Sequence, residues 1–286
     1  MKLISYISSL IIGASLILVF EPFNFWFLTF FIPLSLYFLI KDHDIKSSFY
    51  LGWFFGFGLW LIGIFWIENS IYFYGGATKS VSYFLVICLS AFLALLNGIF
   101  FGIFAYCKTK TNFDILFLFP SIWVGSEWIR EFLLSGFPWF YLGYTSLDNF
   151  FFSGFIPIFG VFGMSFILIF IPALIFVLGE SLISGRQKNI SLIYLTIFSL
   201  FLIASFSSYK VEWTTKKDEV NIVIIQPNIS IEEKWSFQGE NESINLFKSK
   251  IKEYSGKSKD KDITSIIFWP EVFLPGLSSK YTKVID

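Results

Sequence analysis

The sequence predicts a multi-pass α-helical membrane domain followed by an α/β domain. Of its 286 residues, 55% are hydrophobic and 22% are aromatic, which is more apolar surface than a soluble chain of this size carries. The charges are uneven, because residues 1–207 hold 18 of the 42 Asp, Glu, Lys and Arg residues and the last 79 hold 24. We therefore predict a transmembrane domain over 1–207, a polar linker over 208–219 and a water-facing domain over 220–286.

Seven segments are predicted to be membrane helices, since about 20 apolar residues cross a hydrocarbon core of about 30 Å. They are 3–20, 23–40, 49–67, 81–106, 113–134, 155–178 and 190–207. The first two are short, and Glu21-Pro22 predicts a tight turn between them. The first segment has no signal-peptide cleavage pattern and another apolar span follows it at once, which favours a retained helix.

The distribution of Lys and Arg in the short loops predicts the orientation of these helices. With the N-terminus inside, the outer loops carry only Lys79 and Arg130, against seven basic residues in the inner loops. The seven are Lys2, Lys41, Lys46, Lys108, Lys110, Arg186 and Lys188. An odd number of crossings then places everything after residue 207 outside, facing the periplasm or the cell exterior.

The C-terminal part has a strand–helix–strand pattern. The run "VNIVIIQPN" (220–228) is rich in β-branched residues and ends at Pro227, and "ITSIIFWPE" (263–271) is a similar run, so both are predicted to be buried strands. Residues 241–260 between them have apolar side chains at helical spacing. This order predicts an α/β domain whose two strands are neighbours in one sheet.

Glycines in the third predicted helix have the spacing of a packing face. In "LGWFFGFGLWLIGIFW" (51–66), Gly52 and Gly56 are four residues apart, and Gly63 extends the same slim face. Small residues let membrane helices approach closely, so that dispersion forces hold them together. We interpret these glycines as structural.

Three charged residues lie toward the outer end of the fifth predicted helix, in "SEWIREFLLSGFPWFYLGY" (126–144). Glu127, Arg130 and Glu131 are three and four residues apart, so they can share one helical face and pair. Charged groups at that depth are costly and usually mark a functional or water-lined place. Two interpretations stay open: a salt bridge that anchors the outer loop, and a group that shapes an entrance for lipid.

Composition also bears on partners and on cross-links. The net charge is zero, so no polyanion-binding role is indicated and nucleic acid is not an expected partner. Cys88 and Cys107 belong to one predicted helix about 28 Å apart, which prevents a disulfide between them. We interpret both as small hydrophobic residues.

One acidic residue in the C-terminal part is a candidate for catalysis. Glu271 follows Pro270 at the carboxyl end of the second predicted strand, which is where open α/β sheets place their ligands. A single acid at the end of a strand is a weak signal by itself.

The pieces, taken in order, resemble the apolipoprotein N-acyltransferases of bacterial inner membranes. The quoted stretches are "EPFNFWFLTFFIPLSLYFLI", "GWFFGFGLWLIGIFWI", "PSIWVGSEWIREFLLSGFPWFYLGYT", "PIFGVFGMSFILIF", "VNIVIIQPNISIEEKW" and "IIFWPEVFLP". Members of this family join a multi-helix membrane domain to a periplasmic nitrilase-like (carbon–nitrogen hydrolase) domain. The resemblance therefore implies a seven-helix membrane domain followed by the start of a nitrilase-like α/β sandwich, in the inner membrane.

The resemblance also implies a reaction and its residues. The W-P-E glutamate, here Glu271, would be the general base of a Glu–Lys–Cys triad, because a thiol needs a base to become a nucleophile. The cysteine would take an acyl group from a phospholipid donor as a thioester and pass it to the diacylglyceryl apolipoprotein acceptor. Trp235 matches a family tryptophan near the active site, so the resemblance implies contact with the acyl chain or the lipid substrate, with a structural role as the alternative. No metal or nucleotide cofactor is implied.

The chain departs from the family in one respect. No lysine or cysteine of the triad is matched, and neither Cys88 nor Cys107 suits the role, so we expect a truncated product or fragment that is inactive alone. Two alternatives remain open. One is a membrane-tethered amidase or nitrilase of the same superfamily, and the other is a non-catalytic membrane scaffold or transporter.

Overall fold

A computed structural model describes residues 2–133, 136–147, 149–184, 188–217, 220–255 and 265–270. The chain divides into two compact units, Met1–Trp213 and Thr214–Asp286. Each unit is treated by itself below.

The first unit is helical. Its described residues form eight α-helices: α1 (Lys2–Ser15), α2 (Ile32–Ile40), α3 (Ile45–Gly63), α4 (Ile67–Phe73), α5 (Lys79–Cys107), α6 (Phe119–Arg130), α7 (Ile156–Ser184) and α8 (Lys188–Tyr209). Short 3-10 turns cover Leu16–Val19, Trp26–Phe30, Leu142–Ser146 and Ser153–Phe155, and a π-helical turn at Asp114–Leu118 leads into α6. Helix α7 is bent at Gly160, whose φ of +61° is outside the helical range.

Four helical segments are long and apolar enough to cross a membrane: Ile45–Gly63, Lys79–Cys107, Ser153–Ser184 and Ser191–Tyr209. They correspond to the third, fourth, sixth and seventh predicted spans. Leu3–Val19 and Trp26–Ile40 are shorter apolar helices, and the fifth predicted span contains the 12-residue α6. The chain is therefore a membrane protein, and the count of seven crossings stays a prediction.

The glycines of α3 confirm the predicted packing face. A Cβ at Gly52 would lie 2.8 Å from the carbonyl oxygen of Asn97 on α5, and one at Gly56 would lie 2.6 Å from the Asn97 side-chain oxygen. Helix α3 therefore packs against α5 at a distance that only glycine permits, with α1 on another side. Gly63 faces the Phe140 ring instead, which lies in the aromatic loop after α6.

The second unit contains β1 (Asn221–Ile224), α9 (Ile231–Lys234), α10 (Phe237–Ser255) and β2 (Ser265–Phe268). The two strands are parallel neighbours, with Asn221 opposite Ser265 and Ile224 opposite Phe268. This arrangement confirms the predicted strand–helix–strand order and the pairing of the two strands. Both strands are shorter than the predicted segments 220–228 and 263–271.

The prediction that both strands are buried is wrong. Ile222, Ile224, Ile266 and Phe268 share one face of the sheet and are 41–77% exposed. The opposite face carries Trp269, whose ring lies 5.0 Å from that of Phe247 on α10. Within the described residues, the sheet is thus covered by a helix on one face only, which is why an apolar strand sequence does not produce burial here.

Candidate functional site

The carboxyl ends of the two parallel strands open into a small cleft of about 180 Å³. This is the edge of an α/β sheet at which ligands bind, because the chain turns away from the sheet there and leaves room. The cleft is lined by Gln226, Pro227, Asn228, Ile229, Lys234 and Pro270. All of them belong to the second unit.

Local backbone geometry brings Lys234 to this cleft. The Ile225 N–H donates to the Phe268 carbonyl at 3.0 Å and extends the strand pairing by one residue. Asn228 then turns the chain with a φ of +59°, a conformation that asparagine tolerates better than most residues. Ser230 caps α9, since its hydroxyl accepts from the Glu233 N–H at 3.2 Å, and α9 ends at Lys234.

Of the two predicted site residues, the structure describes Trp235 but not Glu271. Glu271 lies outside the described residues, immediately after the cleft residue Pro270. Trp235 is described; it directly follows Lys234, is 61% exposed and is not among the residues that line the cleft. Sequence reasoning did not single out Lys234. The signal for it in the sequence is a basic residue shortly after the first strand, at the end of the short helix α9.

A second cluster lies in the first unit, around the three charged residues of "SEWIREF". Glu127 and Arg130 are buried, with 1% and 6% of their surface exposed. Glu127 accepts hydrogen bonds of 2.9 Å from the Trp123 indole N–H and from the Leu142 backbone N–H. One donor from the preceding turn of α6 and one from the later loop therefore meet at the same carboxyl group.

Among the described residues, Arg130 has no acidic partner within ion-pair distance. Its guanidinium lies 5.0 Å from the Trp60 ring and 5.1 Å from the Tyr141 ring, and it donates to the Trp139 carbonyl at 3.2 Å. The ion pairs within 4.0 Å among the described residues do not include Arg130, so the predicted pairing with Glu127 or Glu131 is wrong. The guanidinium instead contacts two aromatic rings and a backbone carbonyl.

Glu131 is engaged by a tyrosine. The Tyr141 hydroxyl donates to the Glu131 carboxylate at 2.8 Å. Burial, and then this hydrogen bond, raise the pKa of Tyr141 above its usual value, so the phenol stays a donor at neutral pH. The three charged residues thus fasten segment 139–142. These hydrogen bonds take the place of the predicted salt bridge.

The fastened segment forms one wall of a larger cleft of about 460 Å³, here called the aromatic cleft. Its lining residues are Val19, Phe20, Glu21, Asn24, Trp66, Pro138, Trp139, Phe140, Tyr144, Thr145 and Leu147. The rings of Trp66 and Trp139 are 5.3 Å apart, and those of Phe20 and Phe140 are 5.2 Å apart. Aromatic side chains therefore supply five of the eleven lining residues.

Two lining residues have unusual backbone conformations. Asn24 has a φ of +51° and Phe140 has a φ of +58°. A positive φ is rare for a bulky residue and persists only where the surroundings hold it. Phe140 is held by ring contacts with Phe20 and with Trp60, whose centroid lies 5.8 Å away. The packing thus fixes the shape of the cleft wall.

No group of three His, Cys, Asp or Glu side chains within the described ranges could hold a metal ion. Cys88 and Cys107 are free thiols on α5 and both are exposed, which confirms that they form no disulfide with each other.

Comparison with known proteins gives a consistent result. The family model for the apolipoprotein N-acyltransferase N-terminal domain matches residues 12–174. The apolipoprotein N-acyltransferase of Pasteurella multocida is 31% identical over 281 residues, which cover 97% of this chain and 52% of that protein. The Haemophilus influenzae protein of that name is 30% identical over 289 residues, covering 100% and 53%. The chain thus spans about half the length of the curated relatives it matches.

Proposed function

This chain belongs to the apolipoprotein N-acyltransferase family, and we propose that it contributes the membrane domain and the start of the nitrilase-like domain to that activity. In the proposed reaction, a fatty acyl group passes from a phospholipid through a cysteine thioester to the α-amino group of an N-terminal diacylglyceryl-cysteine. The observation that carries the proposal is the match to enzymes of that name over 97% of the chain. The membrane is the natural place for two lipid-linked substrates to meet.

Glu271 is proposed as the general base of this reaction. A thiol is mostly protonated at neutral pH, so its attack on an ester requires a base within hydrogen-bond reach. The carboxylate would take the thiol proton while the sulfur attacks the acyl carbonyl, and would return the proton to the departing lyso-phospholipid oxygen. The position of Glu271, one residue beyond the cleft residue Pro270, supports this role. The lysine and cysteine of the triad are assigned to no residue of this chain.

Trp235 is proposed to contact the lipid substrate. Its indole is 61% exposed, and an indole combines a large apolar surface with one polar N–H, as contact with lipid requires. In a chimera that supplies the missing lysine and cysteine, Trp235→Leu should raise KM for phospholipid with little change in the stability of the second unit.

The proposed location is the bacterial inner membrane, with seven crossings and the second unit in the periplasm. The excess of basic residues in the predicted inner loops supports this orientation. Reporter fusions after residue 213 test it: alkaline phosphatase should be active there and a cytoplasmic fluorescent reporter should be dark. The opposite pattern would place the second unit in the cytoplasm and contradict the proposed orientation.

A chimera tests the proposed activity. Residues 1–286 are joined to the remaining part of the Pasteurella multocida relative and expressed in cells depleted of their own N-acyltransferase. We expect mass spectra of lipoprotein N-terminal peptides to regain the third acyl chain with the parent chimera and with Glu212→Gln, a control in the exposed linker. Glu271→Gln should abolish that signal at equal membrane abundance.

Two results would contradict the proposal. One is a chimera that reaches the membrane normally and leaves lipoproteins diacylated. The other is Glu271-dependent hydrolysis of soluble amides without lipoprotein acylation, which would favour the membrane-tethered amidase.

A further inference from the structure

We propose that the chain from Lys210 to Trp213 lies along the membrane surface, in the headgroup layer of the bilayer, and that a group of side chains around the end of α8 holds it there. This group, here called the α8 collar, comes from the end of α8, from the loop beside it and from the segment that follows: Phe150, Phe151, Phe206, Tyr209, Val211 and Trp213. The proposal concerns the first unit, and it holds whether or not acyl transfer takes place.

The collar lies where a membrane span ends. The stretch Ser191–Tyr209 of α8 is long and apolar enough to cross a membrane, and only 11% of it is buried inside the protein. Leu200 and Ile203 on this helix are 59% and 63% exposed. Apolar surface of this kind faces lipid acyl chains, so the end of α8 lies at the level where hydrocarbon gives way to headgroups.

The loop that carries Phe150 and Phe151 is fixed to this end of α8. The Ser205 hydroxyl donates to the Phe151 carbonyl at 2.6 Å. A Cβ at Gly154 would lie 2.6 Å from the Tyr209 backbone nitrogen, so the two backbones are in close contact. The ring centroids of Phe150 and Tyr209 are 4.5 Å apart. The aromatic rings of the loop are therefore held at the same level as the end of the helix.

The collar side chains are apolar and yet exposed. All six are 44–55% exposed, and five of the six are aromatic. Aromatic side chains concentrate at the interface between membrane and water, because their large apolar rings are favoured over contact with water alone while the polar groups of tyrosine and tryptophan can reach hydrogen-bond partners. The composition of the collar therefore fits the headgroup layer.

The backbone after α8 limits how deep the segment can lie. The helix ends as the Val211 N–H donates to the Ser208 carbonyl at 3.2 Å, and residues 211–217 belong to no helix or strand. Backbone groups outside regular structure cannot face hydrocarbon, whereas the headgroup layer contains water that pairs with them. The segment is thus excluded from the membrane core, while Val211 and Trp213 favour its surface over bulk water.

The charged residues of the segment suit the same depth. The Lys210 ammonium lies 4.4 Å from the centroid of the Phe206 ring, so this lysine covers an apolar ring while its charge stays in the polar layer. Glu212 is exposed. One cation and one anion leave the segment without net charge, which favours the surface of a bilayer over a strongly charged protein as its partner.

Anchoring at Trp213 shortens the tether that leads to β1. Strand β1 begins at Asn221, so eight residues, from Thr214 onward, follow the anchor. At about 3.5 Å per extended residue they reach at most about 28 Å. A chain that left the membrane directly after Tyr209 would have twelve residues and a reach of about 42 Å. The collar therefore limits how far the chain can carry β1 from the membrane surface.

Spin-label accessibility in the full chain tests the proposal. The free thiols Cys88 and Cys107 are changed to alanine, and the protein is placed in nanodiscs of phosphatidylethanolamine and phosphatidylglycerol. Single labels are attached through Val211→Cys, through Ile203→Cys as the lipid reference and through Lys248→Cys as the water reference. We expect the ratio of collisions with oxygen to collisions with a water-soluble nickel chelate to be about threefold higher at Val211 than at Lys248, and lower than at Ile203.

Two tryptophan variants show whether the collar holds the segment. With the label at Val211, Trp213→Gln should lower the collision ratio toward the value of the water reference. Trp128→Gln is the matched control, because Trp128 is a similarly exposed tryptophan of the same unit that belongs to α6 and contacts Phe132. It should leave the ratio unchanged. Equal melting temperatures of the variants show that folding is intact.

A ratio at Val211 equal to that at Lys248, or one that Trp213→Gln leaves unchanged, would overturn the proposal. Low collision rates with both reagents at Val211 would show that protein covers this position, and would overturn the assignment to the bilayer. Because no acyl transfer is measured, these outcomes are separate from those of the chimera.

Discussion

The carboxylate of Glu127 accepts a 2.9 Å hydrogen bond from the backbone N–H of Leu142, fifteen residues further along the chain. Arg130, one turn later on the same helix, donates to the carbonyl of Trp139. One end of α6 thus fixes both ends of segment 139–142, and that segment supplies Trp139 and Phe140 to the aromatic cleft. The shape of the cleft depends on buried charged residues that do not line it.

Removing the Glu127 carboxylate should loosen this segment. Glu127→Ala leaves the Trp123 and Leu142 donors without their acceptor, and a buried unpaired donor costs about 1–3 kcal/mol. Glu127→Gln keeps one acceptor oxygen and should lose less. Thermal unfolding followed by circular dichroism in detergent measures both. An unchanged melting temperature for Glu127→Ala would show that these hydrogen bonds contribute nothing.

Arg130→Lys should behave as a disruptive change. A lysine ammonium lacks the planar surface and the several donors with which the guanidinium contacts the Trp60 ring, the Tyr141 ring and a backbone carbonyl, so we expect a loss of about 1–2 kcal/mol. Lys46→Arg, at an exposed position on α3, serves as the control and should unfold like the parent. The same melting assay applies, and equal stability of both variants would mean that charge alone matters at this position.

Gly143→Ala should separate the turn Leu142–Ser146 from α7. A Cβ at Gly143 would overlap the Val161 carbonyl oxygen and lie 3.1 Å from the Ser165 nitrogen, so the backbone has to move. Overpacking of this kind costs about 1–3 kcal/mol. Gly179→Ala is the matched control, since a Cβ there meets nothing within 4 Å. The melting temperatures of the two variants, measured in detergent, check the prediction. A similar loss of stability in both variants would contradict it.

Asp44 should make the start of α3 sensitive to acid. It is the N-cap and accepts from the Ser47 N–H at 3.2 Å, and the hydrogen bonds from Ser47 lower the pKa of Asp44. A pKa that is lower in the folded state than in the unfolded state stabilises the fold at neutral pH. This stabilisation begins to disappear below the ordinary pKa of about 3.9 and is lost as the pH falls through the lowered pKa of the folded state. Asp44→Asn keeps a cap that does not titrate. Parent and variant stabilities, compared from pH 7 to pH 3, should converge or cross at the acid end; parallel curves would refute this.

The long apolar elements could be predicted closely from the sequence. The predicted span 81–106 became α5 (Lys79–Cys107), because a continuous apolar run has no competing break. The span 113–134 was less well predicted, since a π-helical turn opens it and α6 ends at Arg130. Nothing in the apolar pattern distinguishes a π turn from an α turn.

The partners of the charged residues could not be predicted in the same way. Spacing along a helix reports only neighbours three and four residues apart, and so it suggested pairing among Glu127, Arg130 and Glu131. Their actual partners, such as Trp60 and Leu142, come from another helix and a later loop. The exposed sheet face was missed for the same reason, because coverage of Ile222 and Phe268 depends on what packs above them and not on their own sequence.

The two buried charged residues of α6, Glu127 and Arg130, also bear on how the protein is assembled. A 12-residue helix that carries both Glu127 and Arg130 inserts poorly on its own, since charged side chains within the membrane are costly and the helix is too short to span it. The ring of Trp60 that shields Arg130 belongs to α3, which leaves the ribosome earlier. Helix α3 is therefore synthesised before α6, and Trp60 is already in place when α6 packs against it.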